Sequence, residues 1–171
     1  MIKDKVAPAR RKPLRPPDAR LVKGLYTLGF GSLIGRLILL ITTTGRKTGL
    51  PRDTPLQYEE VDGAIYVGSS RGTHADWFQN ILANPHVLVR VKSRRFQAIA
   101  QPVVDPGRIA DFLELRLKRH PAMVGKILKA EGLSDKPSRA ELETYASRLA
   151  MVIIRPEDRE SDGAVEPGKL P

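Results

Sequence analysis

Arg46, Lys47 and Arg52 fall within seven residues, with Gly49 and Pro51 between them and Gly45 just before. Three cations around a turn that glycine allows to be tight could grip an anion. Arginine presents a planar fork that meets two phosphate oxygens at once, and glycines let backbone N–H groups come close to them. A second segment, GSSRGTHADW, carries Arg71, Gly72 and the neighbouring hydroxyls of Ser69 and Ser70. If both segments are loops at one end of a sheet, Arg71 joins the other three cations, and the start of a helix at Asp76 adds backbone donors. The plain alternative for GRKTGLPR is a solvated charged turn.

Other chemistries find less support. The three histidines, His74, His86 and His120, lie far apart, with no H-x-x-x-H or H-x-E spacing, so no metal site is expected. Of the three, His86 should begin a strand, His120 should end a helix where a cation suits the dipole, and His74 sits in a loop where a ligand could reach it. Ser69 and Ser70 are not part of a G-x-S-x-G elbow. No G-x-G-x-x-G opens a helix and no GxxxxGK[ST] occurs, which excludes the dinucleotide and nucleotide-triphosphatase phosphate loops. The chain has no cysteine, which removes thiolate nucleophiles, thiolate zinc sites and disulfides and leaves a reducing cytoplasm as the default.

The elements that must position these residues follow from the patterning. Leu37 to Thr44 reads as a buried β run that delivers the chain to the GRKTG turn. Arg52 to Val61, an Asp62-Gly63 turn and AIYVGSS form a hairpin, since Asp-Gly supplies the positive φ angles that a tight turn requires. DWFQNILA, 76–83, is a short helix stopped at Asn84-Pro85. HVLVRVKS and RRFQAIAQPVV form a second strand pair around Arg94-Arg95, with Val87, Val89 and Val91 facing the core. Helices are expected over 107–120, 121–131 and 138–148, followed by a last strand in LAMVIIRP. Paired strands with few crossover helices predict a mainly β, α+β fold, an antiparallel barrel-like sheet with helices packed outside it.

The chain's 171 residues suit one domain with a real core. Its net charge of +10 is uneven: residues 1 to 23 hold eight Lys/Arg against Asp4 and Asp18, a local +6 that leaves +4 for the rest. Residues 1–17 read as a disordered basic arm, 18–156 as a single domain opening on an amphipathic helix, and 157–171 as a polar tail. The arm could meet nucleic acid or an anionic membrane surface. Gly24 to Gly45 is long enough to cross a bilayer, but its central Arg36 and its glycines and threonines favour an amphipathic helix leading into a strand.

Taken in order, LLITTTGRKTGLPRDTPLQY, IYVGSSRG and DWFQNILANPHVLVRV resemble the sequence blocks of the deazaflavin-dependent nitroreductase family. Their pattern is close to T-T-G-R-K-[ST]-G-x-x-R-x-x-P, S-[KR]-G and W-[YF]-x-N-[LI]-x-A-N-P. The resemblance implies a split β-barrel like that of FMN-binding oxidoreductases. It also implies coenzyme F420, whose 5-deazaflavin ring carries hydride and whose tail carries a phosphodiester and glutamates. Arg46, Lys47, Thr48, Arg52 and Arg71 match positions that hold the anionic tail. Thr54, Pro55, Gly68, Ser69, Ser70 and Trp77 match positions near the phosphate and ring, and Asn80 to Pro85 should fix the short helix. The loop between Ser70 and Trp77 is shorter than in nitroimidazole-reducing members. Met123 and Lys126 stand where those members carry tyrosines.

The acceptor pocket is therefore expected to be apolar, to include His74, His120 and Met123, and to suit a hydrophobic enone, quinone or nitro compound. No dedicated catalytic residue is evident, although Ser70 or a water it orients could stabilise charge on the acceptor. Two other readings use the same residues: a related barrel that binds FMN or another flavin- or tetrapyrrole-like ligand, and a basic nucleic-acid module. The scarcity of aromatic residues, 5%, argues against the latter, so no nucleic-acid partner is expected. The chain is expected to be a cytoplasmic monomer or homodimer, with peripheral membrane contact through the arm and first helix. Deleting residues 1 to 17 should leave F420 affinity unchanged in a fluorescence titration and weaken sedimentation with anionic vesicles; a large loss of F420 affinity would refute the peripheral role of the arm.

Overall fold

The computed structural model describes residues 38–157. The basic arm, the first amphipathic helix and the chain beyond Glu157 lie outside the described residues. Six strands, β1 Ile38–Thr44, β2 Pro51–Val61, β3 Ala64–Ser69, β4 His86–Val91, β5 Arg94–Val103 and β6 Ala150–Pro156, close into an antiparallel barrel in the order β1-β2-β3-β6-β5-β4. Closure pairs each of these six strands on both sides, so none of the described strands is left as an open edge. This is the antiparallel barrel expected from the strand pairs, and the split barrel that the family resemblance implies.

The predicted hairpins form, with one shift. The β2–β3 turn uses Asp62 at φ 50° and Gly63 at φ 78°, the positive pair that an Asp-Gly turn supplies. The β4–β5 turn falls at Lys92 and Ser93, with Lys92 at φ 54°, rather than at Arg94-Arg95. Both arginines instead begin β5, where Arg94 pairs with Val91 and Arg95 with Arg90. Glu157 also departs from the expected free tail. Its N–H donates to the Gln97 carbonyl at 3.1 Å, and its carboxylate lies 2.7 Å from Nδ1 of His86.

Inside the barrel, alternate residues from all six strands meet. Leu39, Ile41, Val67, Val87, Val89, Val152 and Ile154 form one core with the small Ala98 and Ala100. Helix α1, Asp76–Ala83, plugs one end of that core with Trp77, Phe78 and Ile81. A second core covers the outside of β3, β5 and β6. There Ala64, Val103, Met151 and Ile153 pack on helices α2 Pro106–Arg119, α3 Pro121–Ala130 and α4 Arg139–Ala146 through Ile109, Phe112, Val124, Leu128 and Leu142. Both faces of β6 are thus covered, which is why its sequence is a continuous apolar run rather than an alternating one.

The helices start where local chemistry permits. Asp105 caps α2 by accepting from the Arg108 N–H at 2.8 Å, with Pro106 at the first helical position. Ser138 and Glu141 form a capping box at the start of α4. Arg139 then ties α4 to α2 through Asp111, Glu114 and the Gly107 carbonyl. Among the described residues no helix is long and apolar enough to cross a membrane.

One glycine is obligatory for connecting β3 to the plug. Gly72 sits at φ 55° in a 3-10 turn, Gly72–His74, and a Cβ there would lie 2.6 Å from the carbonyl oxygen of Arg148. Backbone cannot yield as a flexible side chain would. Gly72→Ala should therefore lower unfolding stability by at least about 2 kcal/mol, the left-handed penalty plus the clash, read by urea denaturation; a change within experimental error would refute the close approach.

Candidate functional site

The cationic turn is built by backbone first. The Gly45 N–H donates to the Leu50 carbonyl at 2.9 Å, and the Gly45 carbonyl accepts from the N–H groups of Thr48 at 3.1 Å and Gly49 at 2.7 Å. A Cβ on Gly45 would press on the Leu50 carbonyl at 3.1 Å, and Gly49 sits at φ 66°. The hydroxyl of Thr48 accepts from the Leu50 N–H at 3.3 Å. Both glycines and Thr48 thus shape the turn itself.

Asn80, buried in α1, fixes this turn to the barrel. Its Oδ1 accepts from the Arg46 backbone N–H at 3.1 Å and from the Arg46 guanidinium at 3.2 Å, while its Nδ2 donates to the Thr43 hydroxyl at 3.1 Å. One turn later, Asn84 donates to the Thr44 hydroxyl at 3.5 Å. The guanidinium of Arg46 completes the link by pairing with Asp76 at 3.0 Å and donating to the Asp76 carbonyl at 3.3 Å. The W-F-Q-N-x-x-A-N-P block is therefore the clasp between plug helix and turn.

The cations divide accordingly. Arg46 is bound within the protein. Lys47, Arg52 and Arg71 are exposed, and none forms an ion pair with an acid among the described residues. Arg52 opens β2 opposite Thr43, at the plugged end of the barrel. Arg71 follows β3 and leads into the 3-10 turn and α1, so both loops lie at that end and are joined by Arg46 and Asp76.

The remaining expected residues have distinct placements. Thr54 is half-buried opposite Ile41, and Pro55 is buried opposite Leu40. Gly68 is exposed on β3, with Phe112 the nearest side chain at 3.5 Å from where its Cβ would be. Ser69 is buried and its hydroxyl donates to the Gly72 carbonyl at 2.8 Å, which commits it to the turn. Ser70 is exposed beside it. Trp77 lies in the barrel core, edge-on to Phe78 at 5.9 Å. His74 is exposed at the plugged end.

His120 and Met123 lie elsewhere, in a cleft of about 490 Å³ whose walls include Ile38, Gln57, Tyr58, Glu59 and Arg116. His74 is not among its lining residues. The cleft adjoins the far half of β2. Gln57 lies five positions beyond Arg52, so at about 3.4 Å per residue the turn and the cleft are roughly 17 Å apart along one strand.

The cleft wall holds a residue that patterning did not flag. The carboxylate of Glu59 is only 7% exposed and is met by Arg116 at 3.4 Å, Arg119 at 3.4 Å and His120 at 3.2 Å. Arg116 also donates to Gln57 at 3.0 Å, and Arg119 to the Glu60 carbonyl at 3.0 Å. Next to it Glu60 pairs with Arg94 and Lys92. The Arg94 hydrogen bond, the largest influence, holds the Glu60 carboxyl below its usual range despite the opposing cost of desolvation.

Comparison with known proteins places the chain in a family. The family model for the F420H(2)-dependent quinone reductases matches residues 23–124, and the chain belongs to that family. It is 40% identical over 68 residues to an F420H(2)-dependent quinone reductase of Mycobacterium tuberculosis (strain ATCC 25618 / H37Rv). That stretch covers 38% of this chain and 46% of the relative, so the chain spans about half the length of the curated relatives it matches. Among solved structures, a conserved hypothetical protein from Mycobacterium tuberculosis shares the fold at a TM-score of 0.52, with 14% identity over 77% of this chain and 79% of that one. An F420-H2 dependent reductase aligns at 26% identity and a TM-score of 0.49, over 70% of this chain and 95% of its own.

If Asn80 is the clasp, removing its amide leaves the Arg46 backbone N–H without its acceptor and takes one partner each from the Thr43 hydroxyl and the Arg46 guanidinium. Asn80→Ala should cost about 1 to 3 kcal/mol of stability, the usual penalty for breaking buried hydrogen bonds. Hydrogen exchange at Arg46 to Gly49 should accelerate more than exchange at β6. Uniform acceleration across both segments would show that the turn is not held by Asn80.

Proposed function

We propose that this chain is a reductase that uses coenzyme F420 to pass hydride to a small hydrophobic acceptor of quinone type. The observation that carries the reading is the division of cations at the turn. Arg46 is consumed in building the turn, while Lys47, Arg52 and Arg71 remain exposed with no acid partner among the described residues. In the cleft wall, by contrast, Glu59 and Glu60 hold Arg116, Arg119, Arg94 and Lys92. A phosphodiester followed by carboxylates is the kind of group that such cations and a fixed turn would bind.

The residues fit an elongated cofactor. Lys47, Arg52 and Arg71 would hold the anionic tail at the plugged end, and the cleft beside Gln57, Tyr58, His120 and Met123 has the volume of a small-molecule site for a ring and its acceptor. A deazaflavin held there would supply the hydride. The chain's contribution is to orient both partners and restrict water. Ile38, Tyr58 and Met123 give the cleft an apolar side, which suits a quinone better than a strongly solvated substrate. Arg46 and Thr48 act by holding the turn, and Ser69 and Trp77 by shaping what lies behind it.

The test compares cations of equal formal charge. Arg52→Ala should weaken F420 binding by roughly ten-fold or more, as expected for loss of about 1.5 to 3 kcal/mol from a charge-assisted hydrogen bond, with thermal stability of the free protein nearly unchanged. Arg95→Ala, at the start of β5, should alter neither. Dissociation constants are read by fluorescence at fixed salt, with FMN titrated in parallel and expected to bind more weakly. Equal F420 affinity for Arg52→Ala and the parent protein would remove the clamp and the reading built on it.

A further inference from the structure

His120 occupies an unusual place in the chain. It is the single residue between α2 and α3, with φ −135° and ψ 58°, so it closes one helix and opens the next. Its backbone N–H donates to the Arg116 carbonyl at 2.8 Å, and Pro121 fixes the chain direction immediately after it. The imidazole is half-exposed to the cleft, and its Nε2 lies 3.2 Å from the Glu59 carboxylate. Its Nδ1 has no hydrogen-bond partner among the described residues.

A carboxylate buried against one nitrogen of an imidazole holds the ring's orientation and leaves the other nitrogen to act on a ligand. Structural anchoring alone does not need the histidine, because Arg116 and Arg119 already pair with Glu59 and join α2 to β2. The remaining charged groups on the cleft wall, Lys92 and Glu60, pair with each other at 3.3 Å. His120 is thus the titratable cleft side chain with a ring nitrogen to spare.

We propose that His120, oriented by Glu59, donates the proton that completes reduction of the acceptor. The inference rests on the reductase reading above. A reduced deazaflavin would supply a hydride, two electrons and one proton, so a quinone that accepts it would be left with one anionic oxygen. The imidazolium of His120 gives its Nδ1 proton to that oxygen: the N–H bond breaks, the O–H bond of the hydroquinone forms, and the neutral imidazole recovers a proton from solvent through its exposed edge. His120 is then a catalytic residue and Glu59 a positioning residue.

Two measurements test this. In the first, cofactor-free protein is titrated with a nitrophenolate, an unreactive anion that resembles the half-reduced acceptor and changes colour on protonation or strong hydrogen bonding. Parent protein should bind it with a spectral shift, and His120→Ala should bind at least about ten-fold more weakly without the shift while melting as a folded protein. In the second, F420-dependent quinone turnover at saturating F420 by His120→Ala and by His120→Gln should lose roughly 100-fold in kcat, the lower end of general acid catalysis. Added imidazole should restore part of the His120→Ala rate but none of that of Glu59→Gln, whose His120 is still in place. Equal nitrophenolate binding by parent and His120→Ala, or unchanged kcat in both His120 variants, would overturn the proposal. Intact nitrophenolate discrimination in a parent protein that does not oxidise reduced F420 with any quinone would instead overturn the reductase reading, and with it the identity of the proton's acceptor.

Discussion

The contact on which the rest depends is the side-chain amide of Asn80, with one face to β1 and the other to the cationic turn. A buried amide must satisfy its donors and acceptor or cost several kcal/mol. Here the Thr43 hydroxyl and two N–H groups of Arg46 do so. That requirement fixes the height of α1 in the barrel mouth, and through it the depth at which Trp77, Phe78 and Ile81 enter the core. It also fixes the GRKTG turn relative to the barrel without using Lys47 or Arg52. The fold thereby separates two tasks that a charged turn must combine: holding its own shape, and leaving cations available.

Much of this was legible in the sequence because it is local. The Asp62-Gly63 turn, the alternation of Val87, Val89 and Val91, and the stop at Asn84-Pro85 each follow from backbone preferences within a few residues. The β4–β5 turn was displaced from Arg94-Arg95 to Lys92-Ser93 because neither pair carries a strong turn signal. The register that seats Val91 inward, with Arg94 opposite it, decided the matter.

What local signals could not reveal was the commitment of individual polar groups. Glu59 follows Tyr58 on an alternating strand and reads as a solvated residue, yet Arg116 and Arg119, some sixty positions later, bury it. Arg46 looked equivalent to Lys47 and Arg52 until Asp76 and Asn80, thirty and thirty-four residues away, claimed it. Ser69 and Trp77 match a ligand-binding pattern as residue types, but one spends its hydroxyl on Gly72 and the other its ring on the barrel core. His74 and His120 were both expected in one pocket. Only the closing of the barrel puts one at the plugged end and the other in the cleft.

The same closure explains why a cleft can exist beside a well-packed barrel. The interior is filled, with Val67, Val89 and Val152 fully buried, so no ligand can enter it. The outer face of β3, β5 and β6 is covered by the helices. The cleft opens where the helical layer is interrupted, at the α2–α3 junction, where His120 faces the far half of β2. At this seam apolar cover gives out and Glu59 sits close enough to water to need partners but too buried to be solvated. Arg116, Arg119 and His120 answer that need. The polar wall of the cleft is therefore a consequence of where the helices stop, and His120, set at the break itself, is the member of that wall with a nitrogen left over for chemistry.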